Sequence, residues 1–250
     1  MMKKVLLLLG LVIITISESW AYKFTTDFAA GFYWANLPIQ MTVVDSDSTR
    51  KARIESITKV AMNEWMDSVG TDIWGYYASA LGASASGKNV VRWSNNFQAE
   101  TGMSAVTTLA ATIRYTSGPY IARTEIVING SHQMNNNDYY LKTILIHEFG
   151  HTVGLDHSDD PYAVMAPSIQ LTYNGLGSDD INGMNAVVSK THNYQAIGYV
   201  SPLSKGESSS STSPMSCGSV NLLGSSANLS SLFGGFLMSL IGFIRKRLFK

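Results

Sequence analysis

The chain has 250 residues, 45% of them hydrophobic and 10% aromatic, enough to bury one catalytic-sized core once atypical ends are set aside. Eighteen basic and eighteen acidic residues cancel to a formal charge of zero, which gives no electrostatic footing for nucleic acid or another polyanion. Cys217 is the one cysteine, so there is no intrachain disulfide and no Cys-rich metal site, and stability has to come from packing and bound ions.

At the N-terminus, Lys3 and Lys4 precede the apolar run Val5 to Ile14, and Ser19-Trp20-Ala21 offers small residues at the two positions a signal peptidase examines. The run is shorter than the roughly 20 residues a spanning helix needs. Residues 1–21 are therefore expected to be a signal peptide, with export and a mature chain beginning close to Tyr22. From there to about Val200 the pattern is that of one mixed α and β domain. Ile39 to Val44 alternates like a half-buried strand, and Asp45 to Thr49 reads as the loop that follows. Between Arg50 and Val69 the apolar residues Ile54, Ile57, Val60, Ala61, Trp65 and Val69 recur at three- and four-residue steps, the stripe of a helix packed on a sheet. Asn89 to Trp93, Leu109 to Tyr115 and Thr124 to Asn129 are further strand candidates bounded by Gly, Ser or Asn.

The chemistry is concentrated in His147-Glu148-Phe149-Gly150-His151-Thr152-Val153-Gly154-Leu155-Asp156-His157. Tyr139 to Ile146 is apolar at helical spacing and Asp138 is a candidate cap, so the first part of this motif belongs on a helix. At about 100° per residue, His147 and His151 differ by only about 40° around the axis, and both imidazoles can face one tetrahedral Zn²⁺. Glu148 falls beside them, placed to act as a base rather than a ligand. Gly154 can take a positive φ, stop the helix and turn the chain back, which lets His157 supply a third ligand from another direction. Three protein ligands with one open position describe a catalytic rather than a structural zinc site. His132 and His192 fit no ligand spacing and read as ordinary loop or surface histidines.

After Pro202 the composition changes. Ser204 to Ser216 is dominated by serine and threonine, and 201–219 is expected to be a solvated linker. The segment 220–250 follows, an apolar and small-residue stretch from Val220 to Ile244 and then Arg245-Lys246-Arg247 with Lys250, in the order of a membrane segment with its basic end in the cytoplasm. It resembles the C-terminal sorting tails of bacterial exported proteins handled by exosortase or rhombosortase systems. Cys217 is then a candidate for processing or lipid attachment, or a free thiol.

Tyr162-Ala163-Val164-Met165-Ala166-Pro167 adds a methionine turn to the extended histidine motif, and with it the sequence resembles the metzincin zinc peptidases. Ser158 after His157, Pro167 two residues past Met165, and Ser178 to Met184 as a helix start make it most similar to the matrixin family over about Asn36 to Val188. The resemblance implies an α+β, zincin-like metzincin fold: a twisted, mostly parallel five-stranded sheet over an active-site helix, and a smaller C-terminal subdomain with Met165 and a closing helix. It also implies that about Pro167 to Gly175 walls the pocket for the residue after the scissile bond, and that the strand Thr124 to Asn129 is the edge which pairs with extended substrate. Ala166 stands where better-known relatives carry tyrosine. Tyr22 to Asn36 holds no cysteine and is too short to fold over the cleft, and Cys217 is expected on the wrong side of the domain, so thiol latency is not expected; His132 alone cannot furnish a second, structural zinc; and Asp159 and Asp160 are candidate calcium donors.

The expectations are a zinc-dependent endopeptidase with a protein or peptide substrate, no nucleic-acid partner, membrane association through the tail at least transiently, and a monomeric state. A surface-displayed zinc scaffold that binds without turnover is the alternative, and Glu148, for which a binding module has no use, is the residue that separates the two.

Overall fold

The computed structural model describes residues 22–169, 171–206 and 213–221, the last of these as backbone. The signal peptide and most of the apolar tail read from the sequence lie outside the described residues. In chain order the elements are α1 (Thr26–Ala29), β1 (Tyr33–Trp34), β2 (Ile39–Val44), α2 (Ser48–Val69), β3 (Trp74–Tyr76), β4 (Asn89–Ser94), α3 (Phe97–Thr101), β5 (Thr108–Ser117), β6 (Tyr120–Asn129), α4 (Asp138–Val153), α5 (Ser178–Ile197) and β7 (Ser213–Asn221).

The strands form a single sheet in the order β3-β2-β4-β6-β5-β7, with β1 paired to the start of β6. The pairings among β3, β2, β4 and β6 are parallel, and β5 runs antiparallel to β6. The mostly parallel α+β architecture is thus the one expected, but the sheet has seven strands rather than five: β1 and β7 are additions to its rims. β7 also corrects the reading of 201–219 as linker throughout, because Ser213 to Asn221 adds to the open edge of β5. Main-chain pairing does not require apolar side chains, and a serine-rich composition could not reveal it. A further correction concerns the strand thought to be the substrate edge. Thr124 to Asn129 lies inside the sheet, hydrogen-bonded to β4 on one side and β5 on the other.

Helices α2 and α4 cover one face of the sheet. Trp65 is fully buried between them and donates its indole N–H to the Ile146 carbonyl at 2.8 Å. Ile54, Ile57 and Ala61 join it, whereas Val60, assigned to the same stripe, is 46% exposed and faces solvent. The opposite face carries α3, where Phe97 packs on Ala111 and Val127. Along β5 the side chains divide by parity: Ala111 and Ile113 pack with Phe97 of α3, while Ala110, Thr112 and Arg114 turn towards α4. Among the described residues no helix is long and apolar enough to cross a membrane.

Candidate active site

Helix α4 is capped one residue earlier than expected: the Asn137 side chain, not Asp138, accepts the Tyr139 amide, and Asp138 sits in the first turn. The helix is buried on nearly every side from Thr143 to Val153, which accounts for apolar residues on all of its faces there and leaves His147, Glu148 and His151 as buried polar groups. Indole groups fasten its last turn, Trp34 to the Thr152 carbonyl at 2.8 Å and Trp74 to the Thr152 hydroxyl at 3.0 Å.

Gly154 ends the helix with φ of 114°, in the left-handed region that favours glycine. It is also a place without room: a Cβ there would meet the Phe28 ring at 2.5 Å. The reversed chain is then gripped by the N-terminal segment, for Thr25 donates its amide to the Gly154 carbonyl at 2.9 Å and Asp156 donates to the Lys23 carbonyl at 2.8 Å. This short ladder fixes the path that returns His157 to the helix. The ring centroids of His147, His151 and His157 come to lie 4.6, 5.3 and 5.0 Å apart in pairs, and one nitrogen from each falls within 4.8 Å of the others.

The second nitrogens define the tautomers. Nδ1 of His147 lies 2.7 Å from the Val164 carbonyl and Nδ1 of His151 lies 2.7 Å from the Leu155 carbonyl, so both must be N–H donors. The two Nε2 lone pairs then face each other at 3.0 Å. Two acceptors at that distance repel unless a cation lies between them. A shared proton is a poor candidate, because burial, reinforced by His157, pushes the His147 pKa down to about 3, and burial likewise drives His151 well below its ordinary value. Neutral imidazoles with Nε2 turned inward are what Zn²⁺ requires, so the donor set fits the metal.

Glu148 is fully buried, and the buried hydroxyl of Thr112, on β5, donates to its Oε2 at 2.6 Å. Two residues along the strand, Arg114 donates to the His151 carbonyl and forms a fully buried ion pair with Asp27 of α1, at 2.8 and 2.9 Å. Met165 lies directly beneath the helix, so close that a Cβ on Gly150 would collide with its sulfur. Its turn is held from below by Asp180, whose carboxylate accepts the amides of Val164 at 2.9 Å, Met165 at 3.0 Å and Gly177 at 2.9 Å. Burial pushes the Asp180 carboxyl up in pKa against those three donors. Asp179 beside it accepts the Ser158 hydroxyl at 2.6 Å and the Tyr22 amide at 2.9 Å.

The structure brings together His147, Glu148, His151, Gly154, His157 and Met165, and leaves out His132, which caps a 3₁₀ turn, and His192, which is exposed. A cavity of about 400 Å³ opens beside the methionine turn, lined by Tyr162, Val164 and the run 172–177. The expected wall, Pro167 to Gly175, contributes only its second half. Sequence reasoning missed the roles of Thr112, Arg114 and Asp27, and took Asp179-Asp180 for a helix start alone. Adjacent carboxylates in a first helical turn were visible, but amides from another loop were the partners that gave them a task.

A mostly parallel sheet over a histidine-bearing helix, with a glycine-made reversal and a buried methionine turn, defines the metzincin class of zinc peptidases. Residues 33–188 match the family model described as Matrixin, and the chain belongs to that family, whose members use a catalytic zinc ion. It is similar to interstitial collagenase of Bos taurus, 42% identical over 72 residues covering 27% of this chain and 15% of that protein. It is also similar to the 72 kDa type IV collagenase of Gallus gallus, 51% identical over 47 residues, 18% of this chain and 7% of the relative. Matrix metalloproteinase-C of Caenorhabditis elegans is 44% identical over 61 residues, 21% and 10% of the two chains. The matched region thus spans at most 15% of the length of these relatives.

Proposed function

We propose that this protein is an exported zinc endopeptidase in which His147, His151 and His157 hold the metal and Glu148 is the general base. The observation that carries the reading is the meeting of three imidazole nitrogens, two of them with Nε2 lone pairs opposed at 3.0 Å, next to a buried carboxylate. Zinc bound there supplies a Lewis acid that acidifies water and stabilises negative charge developing on the peptide oxygen. Oriented by the Thr112 hydroxyl at Oε2, the Glu148 carboxylate takes the proton of the attacking water and delivers it to the departing amine. No covalent intermediate is needed. Met165 packs beneath the ligands and positions them, since a thioether fills space well and binds Zn²⁺ poorly.

An extended peptide would pass beside Glu148 along β5, and the cavity at Tyr162, Val164 and 172–177 would receive the side chain after the scissile bond. The leader at 1–21 and the apolar segment at 220–250 suit export followed by residence at, or release from, a membrane. Metal content and cleavage of quenched peptides, measured for wild type and Glu148→Ala, test the reading. One equivalent of zinc in both, with turnover in wild type alone and its loss on chelation, is the expected result. Zinc without turnover in wild type would favour a display module, and no zinc would sink the proposal.

A further inference from the structure

Strand β5 reaches Glu148 through Thr112, and its two edges are both taken. β6 runs along one of them from Ala110 to Ser117. Along the other, β7 lies antiparallel, with Ser219 opposite Ala111, Gly218 opposite Thr112 and Cys217 opposite Ile113. Thr112 is the residue that holds Glu148, so this register sets the Cys217-Gly218-Ser219 backbone at the strand position adjoining the carboxylate. β7 also lies against α4, the helix that carries two of the three histidines. An extended peptide that pairs with β5 beside Glu148 has no other edge to use.

We propose that Ser213–Asn221 is an intramolecular occupant of the substrate edge: the chain's own C-terminal segment competes with incoming peptide, and catalysis requires its displacement. This inference rests on the peptidase reading above. The segment suits reversible occupancy. Its sequence, Ser-Pro-Met-Ser-Cys-Gly-Ser-Val-Asn, has no charge to keep it off an edge and few good strand formers to hold it there. Pro214, lacking an N–H, falls near the beginning of the strand at a register shift, where a sheet tolerates it. Gly218 stands at the position opposite Thr112, where a residue without Cβ offers backbone alone. A ladder this weak would lose to substrate if it were a free peptide, but tethering gives it an effective concentration in the millimolar range, comparable with or above that of most substrates.

The test uses the full chain and the double variant C217P/G218P. Adjacent residues of an antiparallel strand point their N–H groups to opposite sides, so the pair of prolines removes one ladder hydrogen bond whichever residue donates it. Because the occupant competes with substrate, the variant should show KM for a quenched peptide lowered about tenfold with kcat unchanged, as expected when a millimolar internal competitor is removed. Amide exchange should quicken along β5 while β4, which reports the folded sheet, keeps its protection. Equal KM in the two chains overturns the proposal, whether or not exchange changes. To separate this from failure of the peptidase reading, both chains are also made as Glu148→Ala and titrated with a labelled peptide by anisotropy. Tighter binding to the proline variant supports occupancy even if neither parent cleaves, and equal binding overturns it.

Discussion

Thr112 and Glu148 lie 36 positions apart in the chain, and the hydroxyl of the first donates to Oε2 of the second at 2.6 Å, with both side chains fully buried. An ionised carboxylate by itself has two equivalent oxygens. This bond distinguishes them and orients the group from the sheet side.

If Thr112 positions the base, its removal should show in turnover rather than binding. Thr112→Val keeps the shape and loses the donor; a hydrogen bond to a charged group is worth about 1.5–3 kcal/mol, so kcat should fall at least about tenfold with KM little changed. Thr112→Ser should restore most of the rate. Equal losses in both variants, or a change confined to KM, would remove Thr112 from the mechanism.

Asp27 and Arg114 form a pair with both side chains 0% exposed, one partner on α1 and the other on β5. Breaking such a pair leaves an uncompensated buried charge, and Asp27→Ala should cost about 3–5 kcal/mol in urea unfolding. The cut should also loosen the last turn of α4, because the same guanidinium donates to the His151 carbonyl.

The same pair predicts a pH dependence. Burial by itself would raise the Asp27 pKa, but the charge and hydrogen bonds of Arg114, with help from Thr25 and the Phe28 amide, outweigh it and hold the carboxyl below its ordinary value. A carboxyl depressed on folding adds stability that is complete above the unfolded pKa of about 3.9 and disappears as pH falls through the folded value. Urea midpoints should therefore drop more steeply below about pH 4 in wild type than in Asp27→Asn.

Asp180 accepts three amides, two of them from the methionine turn whose Val164 carbonyl orients His147. Asp180→Ala should weaken zinc binding by about 10–100-fold, the usual cost of disturbing groups that hold ligands in place. Competition with a calibrated chelator measures it. Unchanged affinity would show that the turn keeps its form without the carboxylate.

Gly154 combines a φ of 114° with contact against Phe28. Gly154→Ala meets both obstacles and should destabilise by more than about 1 kcal/mol. If the reversal carries His157 to the metal, zinc affinity should fall together with stability.

Much of the centre was legible along the chain because it is local. His147, Glu148 and His151 share one helix face by periodicity, and Gly154 and His157 follow within a single turn of reversal. The apolar stripe of α2 was legible for the same reason, apart from Val60, which periodicity placed at the margin of the buried arc. The cap of α4 was missed by one residue, since Asn137 and Asp138 have similar chemistry and only backbone geometry distinguishes them. The short strands β1 and β3 left no readable alternation in two and three residues.

The sequence by itself determined the metal-binding motif, its helix and turn, and the alternation that makes a sheet, because helical and strand periods act over neighbours and need no distant partner. The tertiary structure decided which strand borders Glu148, which hydroxyl holds it, how Asp179 and Asp180 serve the loops around the three histidines, and that Ser213–Asn221 lies on the sheet edge. Those are pairings between groups far apart in sequence. A serine, a threonine or an aspartate has the same local preferences whether solvent or a carboxylate awaits it, and only the closed fold supplies the partner.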